Sequence, residues 1–208
     1  VAGSLQTSSL PRSGADAIFE PHDLARMIAL NQEIVRRSDE FFGYQVPTDF
    51  RLEERHPELF PTNVRPETLA QDAEMKRRAE AGELETAEFL RFTSAARTSY
   101  PENDQVNARW YPAPELRQHA GKPRQSIIVM PQWNADAFSH NALCSLFNRF
   151  GISALRLSKP YHDIRRPVEL ERSDYAVSSN IGRTMAACRQ AVVDIRCAST
   201  GWSLRGMS

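Results

Sequence analysis

The segment Ser126-Ile127-Ile128-Val129-Met130-Pro131-Gln132-Trp133-Asn134 is a short apolar run that ends abruptly in a polar, aromatic loop. The run does not alternate apolar with polar residues, so it predicts a strand covered on both faces, as in a parallel sheet. Downstream, Phe138, Ala142, Leu143, Leu146, Phe147 and Phe150 recur at helical spacing. Asp136 or Ser139 is placed to cap the start of that helix, and Gly151 to supply its left-handed stop. Ile152 to Leu157 reads as a second buried strand. From about Asp174 to Cys197, Val177, Ile181, Met185, Cys188, Val192 and Ile195 form one helical stripe. Strand, helix, strand, helix at this spacing implies parallel pairing with crossover connections.

Upstream the pattern changes. Phe89 to Thr93 and Val106 to Tyr111 read as two strands joined across Tyr100-Pro101-Glu102-Asn103-Asp104, an antiparallel hairpin with a long loop, and Pro112 and Pro114 end the second. Residues 66–88 are charged and alanine-rich, predicting a solvated helix that is either a plain surface helix or a cap. Residues 45–66 carry four prolines and no apolar period, predicting an extended surface connection. Pro21 to Phe42 reads as an amphipathic helix stopped by Gly43, and 1–16 as a frayed, disordered terminus. The expected organisation is therefore a helical extension over 17–88, an α/β domain over 89–200 and an atypical tail over 201–208.

Composition narrows the function classes. Lys and Arg number 26 and Asp and Glu number 26, so no net field attracts nucleic acid or an anionic surface. A hydrophobic content of 41% supports a core, but no apolar run approaches the ~20 residues that span a bilayer. The N-terminus has neither the charged start nor the apolar core of a signal peptide, and the expectation is a cytoplasmic protein. Cys144, Cys188 and Cys197 have no metal-ligand spacing and fall in helical segments, where they read as small core residues.

In an open α/β sheet, ligands gather beyond the carboxyl ends of the strands. Those ends are Pro131-Gln132-Trp133-Asn134 and Ser158-Lys159-Pro160-Tyr161-His162-Asp163. The backbone N–H of Trp133 is placed to meet an oxyanion, with Gln132, Asn134, Tyr161 and His162 as candidate substrate contacts. A strand-to-helix turn with Trp133 as packing is the alternative. His162-Asp163 alone is too few ligands for a metal site, and no metal or cofactor is expected; a hydrogen bond bracing the loop is the plainer role. His140 lies one turn before Cys144, but a thiol between Leu143 and Leu146 is shielded, the opposite of an activated nucleophile. Gly201-Trp202-Ser203-Leu204-Arg205 fails as a nucleophile elbow, because Arg205 replaces the second glycine and the residues before it read as helix. Phosphate-binding glycine motifs are absent.

The run from Ile127 through Asp136, Asn141 to Gly151 and Ile152 to Pro167 resembles the N-terminal half of bacterial α/β-hydrolase-fold proteins, near the abhydrolase-18-like group. The likeness covers roughly Phe89 to Ser199. It implies an eight-stranded, mostly parallel sheet opening with the hairpin, in which the strand at Ser126 lies between the strand at Ile152 and a fifth one. It also implies ester, thioester or amide hydrolysis of a small acyl substrate by a Ser, acid, His triad without a cofactor. Pro131-Gln132-Trp133 matches the loop carrying the first oxyanion donor, with Pro131 and Gln132 standing where that family often has His and Gly. The triad would follow later strands, so this resemblance assigns no catalytic residue here and reads the chain as a truncated hydrolase, inactive alone. Its uncovered sheet edge predicts self-association. The competing reading is a non-catalytic α/β binding or interaction module using the charged helix over 66–88.

Overall fold

The computed structural model describes residues 23–57, 66–114, 125–135 and 137–204. In chain order these form helices α1 (Asp23–Arg36) and α2 (Ser38–Phe41), strand β1 (Arg51–Arg55), helix α3 (Pro66–Glu80), strand β2 (Ala87–Thr93) and the single turn α4 (Pro101–Asp104). Then come β3 (Gln105–Tyr111), β4 (Gln125–Val129), α5 (Asn141–Arg149), β5 (Ile152–Leu157), a 3₁₀ turn (Asp163–Arg165) and α6 (Ile181–Leu204). The strands make one mixed sheet in the order β1-β2-β3-β5-β4. β2 and β3 are the expected antiparallel hairpin, with Phe92 opposite Val106. β3 runs antiparallel to β5, and β4 lies parallel to β5, with Ile127 opposite Ala154. The fold is α/β, with helices on both faces.

Alternation along the strands sorts the two faces. Leu90, Phe92, Val106, Ala108, Trp110, Leu155 and Leu157 point to one side, where Val193, Cys197, Ala198 and Trp202 of α6 cover them. The opposite side presents Tyr111, Val129 and Ala154 to Cys144 and Phe147 of α5. α6 continues through the segment expected to be a tail because its end is packed: the Trp202 ring meets Trp110 edge-on at 4.8 Å. Position 201 must be glycine there, since a Cβ would stand 2.4 Å from Phe50 Cδ1. Ser203 accordingly sits on a helix, donating its hydroxyl proton to the Ser199 carbonyl at 3.1 Å.

Several expectations need correction. The connection expected over 45–66 contains β1, whose sequence Arg51-Leu52-Glu53-Glu54-Arg55 has no apolar alternation to announce it. Charge pairing holds it instead: burial would raise the Glu53 pKa, yet Arg91 across the strand (2.8 Å), with Arg51 and Arg55, brings it down to about 2. The helix expected over 66–88 ends at Glu80, and β2 has begun by Ala87. α6 begins at Ile181, not Asp174, where Asn180 Oδ1 accepts the Arg183 N–H at 3.0 Å. The α5 stripe is wider than the sheet beneath it: Cys144 is buried, whereas Phe138, Leu143, Leu146 and Phe150 are exposed. His140, left-handed at φ 69°, caps α5 without a side-chain hydrogen bond; Asp136 lies outside the described residues. Cys188 is exposed, unlike Cys144 and Cys197. The helix expected over 21–42 breaks at Arg37, and its Leu24, Ile28 and Val35 are exposed. The terminus over 1–16 lies outside the described residues.

Candidate functional site

The parallel strands β4 and β5 deliver their carboxyl ends side by side, so the loops after Val129 and Leu157 share one rim of the sheet. Among the described residues, every non-glycine with positive φ lies on those two loops: Asn134 (56°), His140 (69°), Tyr161 (62°) and Asp163 (50°). Asn and Asp tolerate that region, whereas His and Tyr adopt it at a cost that surrounding contacts must offset.

The offsetting contacts are specific. The Asn134 N–H donates to His162 Nε2 at 3.0 Å, and His162 Nδ1–H donates to the Pro160 carbonyl at 2.8 Å. That pattern fixes the Nδ1-protonated neutral tautomer. Burial pushes the His162 pKa down to about 4, with the nearby Lys159 ammonium acting in the same direction against the Pro160 hydrogen bond. From Asn134 the fastening continues: its Oδ1 accepts the Ser173 N–H at 3.0 Å, and Trp133 Nε1–H donates to the Ser173 carbonyl at 3.2 Å. The Arg172 guanidinium lies 4.6 Å from the centre of the Trp133 ring.

A buried polar layer underlies the rim. Arg156, near the carboxyl end of β5, meets Asp163 at 2.7 Å, and Ser158 Oγ–H donates to the same Asp163 Oδ2 at 2.7 Å. Arg165 points the other way, pairing with Asp194 of α6 at 2.8 Å and donating to the carbonyls of Asn103 and Ser158, each at 2.8 Å. Ser94 Oγ donates to Asp194 at 2.6 Å. Asn103 completes the frame, accepting the Tyr161 N–H and donating to Gln190, both at 2.8 Å. Tyr161 is buried and packs edge-on against Tyr100 and Tyr175, whose rings lie 5.9 and 5.7 Å away.

The five candidate residues therefore divide. Gln132, Trp133 and Asn134 are exposed on the rim, and the backbone N–H of Trp133, unlike its indole N–H, has no acceptor among the described residues. Tyr161 and His162 are 4% and 1% exposed and act as supports for the loops. The residues the sequence reading passed over are Arg156, Arg165 and Asp194; the signal was there for Arg156 and Asp194, each a charge within a stretch read as buried, but not for Arg165, which lies in the loop after β5.

No hydroxyl or thiol among the described residues is hydrogen-bonded to an imidazole. Ser158 gives its proton to a carboxylate that already faces Arg156, inside the core. Burial pushes the Cys144 thiol up, and pushes Cys197 to about 12 with Asp194 adding to the effect. Neither is an activated nucleophile. Among the described residues no group of three or more His, Cys, Asp or Glu is placed to hold a metal ion. No helix among them is long and apolar enough to cross a membrane.

No protein-family model and no curated protein matches this chain.

Proposed function

We propose that this chain is the N-terminal part of a serine hydrolase of the α/β-hydrolase fold, cleaving an ester, thioester or amide of a small acyl substrate. One observation carries the reading. β5 follows the antiparallel strands in the sheet, and β4 lies beyond β5 with no strand on its far side among the described residues; this order of β3, β5 and β4 agrees with the one the resemblance implies.

In this reading the backbone N–H of Trp133 is the oxyanion donor, without an acceptor among the described residues and placed just beyond the end of β4. Gln132 and Asn134 flank the acyl group, while Tyr161 and His162 hold the loop geometry from beneath. Nucleophile, acid and base belong to the longer protein, because an oxyanion loop without a nucleophile has nothing to attack with. The left-handed residues on both loops support the assignment, since backbone strain concentrates where geometry is functional.

The test is a fluorophosphonate probe applied to the longer gene product, with the labelled peptide sequenced, alongside p-nitrophenyl acetate turnover by these 208 residues. The expected label lies outside residues 1–208, with no turnover by the shorter chain. Turnover that survives both Ser203→Ala and stringent purification would refute the proposal. The competing interaction module is favoured by the uncovered Leu143, Leu146 and Phe150 of α5, and an unlabelled longer product would select it.

A further inference from the structure

Beneath the rim, on the α5 side of the sheet, lies a cavity of about 10 Å³ between β3, β5 and the 3₁₀ turn. Asn107, Arg156, Ser158 and Asp163 supply its polar wall, and Phe89 and Ile164 part of its apolar one. Two acceptors on its lining residues are buried with no hydrogen-bond donor among the described residues: Asp163 Oδ1 and Asn107 Oδ1. Leaving a buried acceptor unpaired costs about 1–3 kcal/mol, more for a charged group, so two in one small space need a common explanation.

We infer that this cavity is a binding site for one water molecule, which donates one proton to Asp163 Oδ1 and the other to Asn107 Oδ1. The volume matches, since roughly 10–15 Å³ measured this way holds a single water. The chemistry of the wall selects a neutral double donor. Asp163 Oδ2 already accepts from Arg156 Nη1 and Ser158 Oγ, each at 2.7 Å, so the carboxylate charge is balanced while its second oxygen lacks a donor. A cation placed there would face the Arg156 guanidinium across one carboxylate, with too few oxygens to replace its hydration shell. Ser158 cannot serve the second oxygen, because its only proton is spent on the first. The water ties β3 to the 3₁₀ turn and helps keep Asp163 in its left-handed backbone conformation.

The test combines a high-resolution crystal structure of the whole chain with water magnetic relaxation dispersion on the wild type and Asn107→Leu. The expected result is one ordered peak within hydrogen-bond reach of both oxygens, and one long-lived water fewer in the variant. The wild-type density decides the matter even if Asn107→Leu fails to fold. A dry cavity would overturn the proposal, as would an Asn107 amide rotated to donate directly to Asp163. So would a cation, revealed by a melting temperature that differs between sodium and potassium chloride at equal ionic strength.

Discussion

Removing one partner of the Arg165–Asp194 pair should be far more damaging than removing both. Both side chains are 0% exposed and meet at 2.8 Å, so each depends on the other for charge balance. Asp194→Ala strands a guanidinium that can neither leave the core nor lose its proton, and such a stranded charge costs about 3–5 kcal/mol. Arg165→Met strands the carboxylate instead, at a similar cost near neutral pH. Burial already raises the Asp194 pKa in the intact pair, with Arg165 opposing it, so without Arg165 this carboxyl takes up a proton more readily still. A folded-state pKa above the unfolded value means stability that is present at low pH and lost as pH rises. Arg165→Met should therefore be milder near pH 4 than near pH 7. In Arg165→Met/Asp194→Leu neither charge of this pair is left buried, and what remains is the loss of the donors to Asn103 O and Ser158 O and of the acceptor for the Ser94 hydroxyl, about 2–3 kcal/mol in all. The assay is urea unfolding followed by the fluorescence of the buried Trp110 and Trp202, with free energies from linear extrapolation. A double variant costing as much as the two single variants added together would refute the argument, since it would mean the two charges are solvated independently.

Three further outcomes follow from the same geometry. His162 has a folded pKa of about 4 against 6.5 unfolded, so the unfolded chain binds more protons between them; stability should be complete above pH 6.5 and fall by about 3 kcal/mol as pH drops to 4. Denaturation midpoints across that range should flatten in His162→Gln, and an unchanged slope would count against the neutral tautomer. Gly201→Ala places a methyl group against the Phe50 ring and should cost about 1–3 kcal/mol, read as a lowered melting temperature; Gly182→Ala, whose Cβ would meet only the Asn180 side chain at 3.5 Å, is the control expected to change little. β4 has no neighbour on its outer side among the described residues, and size-exclusion chromatography with light scattering should show self-association that Ser126→Lys reduces. A well-dispersed wild-type monomer would argue that the edge is protected.

The sequence made the central βαβ unit legible because its signals are apolar and local. Both parallel strands, the hairpin before them and Gly151 as the α5 stop (φ 76°) could be read from runs and punctuation alone. β1 escaped because ion pairs across to β2 hold it, and a strand stabilised by Glu53 with Arg91 leaves no period-two apolar trace. α6 was placed too early because Val177 and Ile181 extend its stripe on paper, yet they are 60% and 42% exposed ahead of and at the helix start. For the rim, the loops could be located from the strand ends, but not which side chains turn outward. Tyr161 and His162 look like ligands in sequence; Tyr161 is itself left-handed, and His162 lies between it and left-handed Asp163, a backbone property that residue type alone does not announce.

The two margins of the sheet are chemically unlike. The β1 side carries Arg51, Glu53, Glu54 and Arg55, a charged border that repels an incoming strand, whereas β4 offers Ser126, Ile127 and Ile128. Among the described residues, growth by strand addition is thus open in one direction only. If two molecules join through β4, a two-fold axis brings like to like and uses up both receptive borders at once, leaving the charged ones outermost. Such an assembly is closed at two subunits, so the same asymmetry that permits pairing also forbids a fibre.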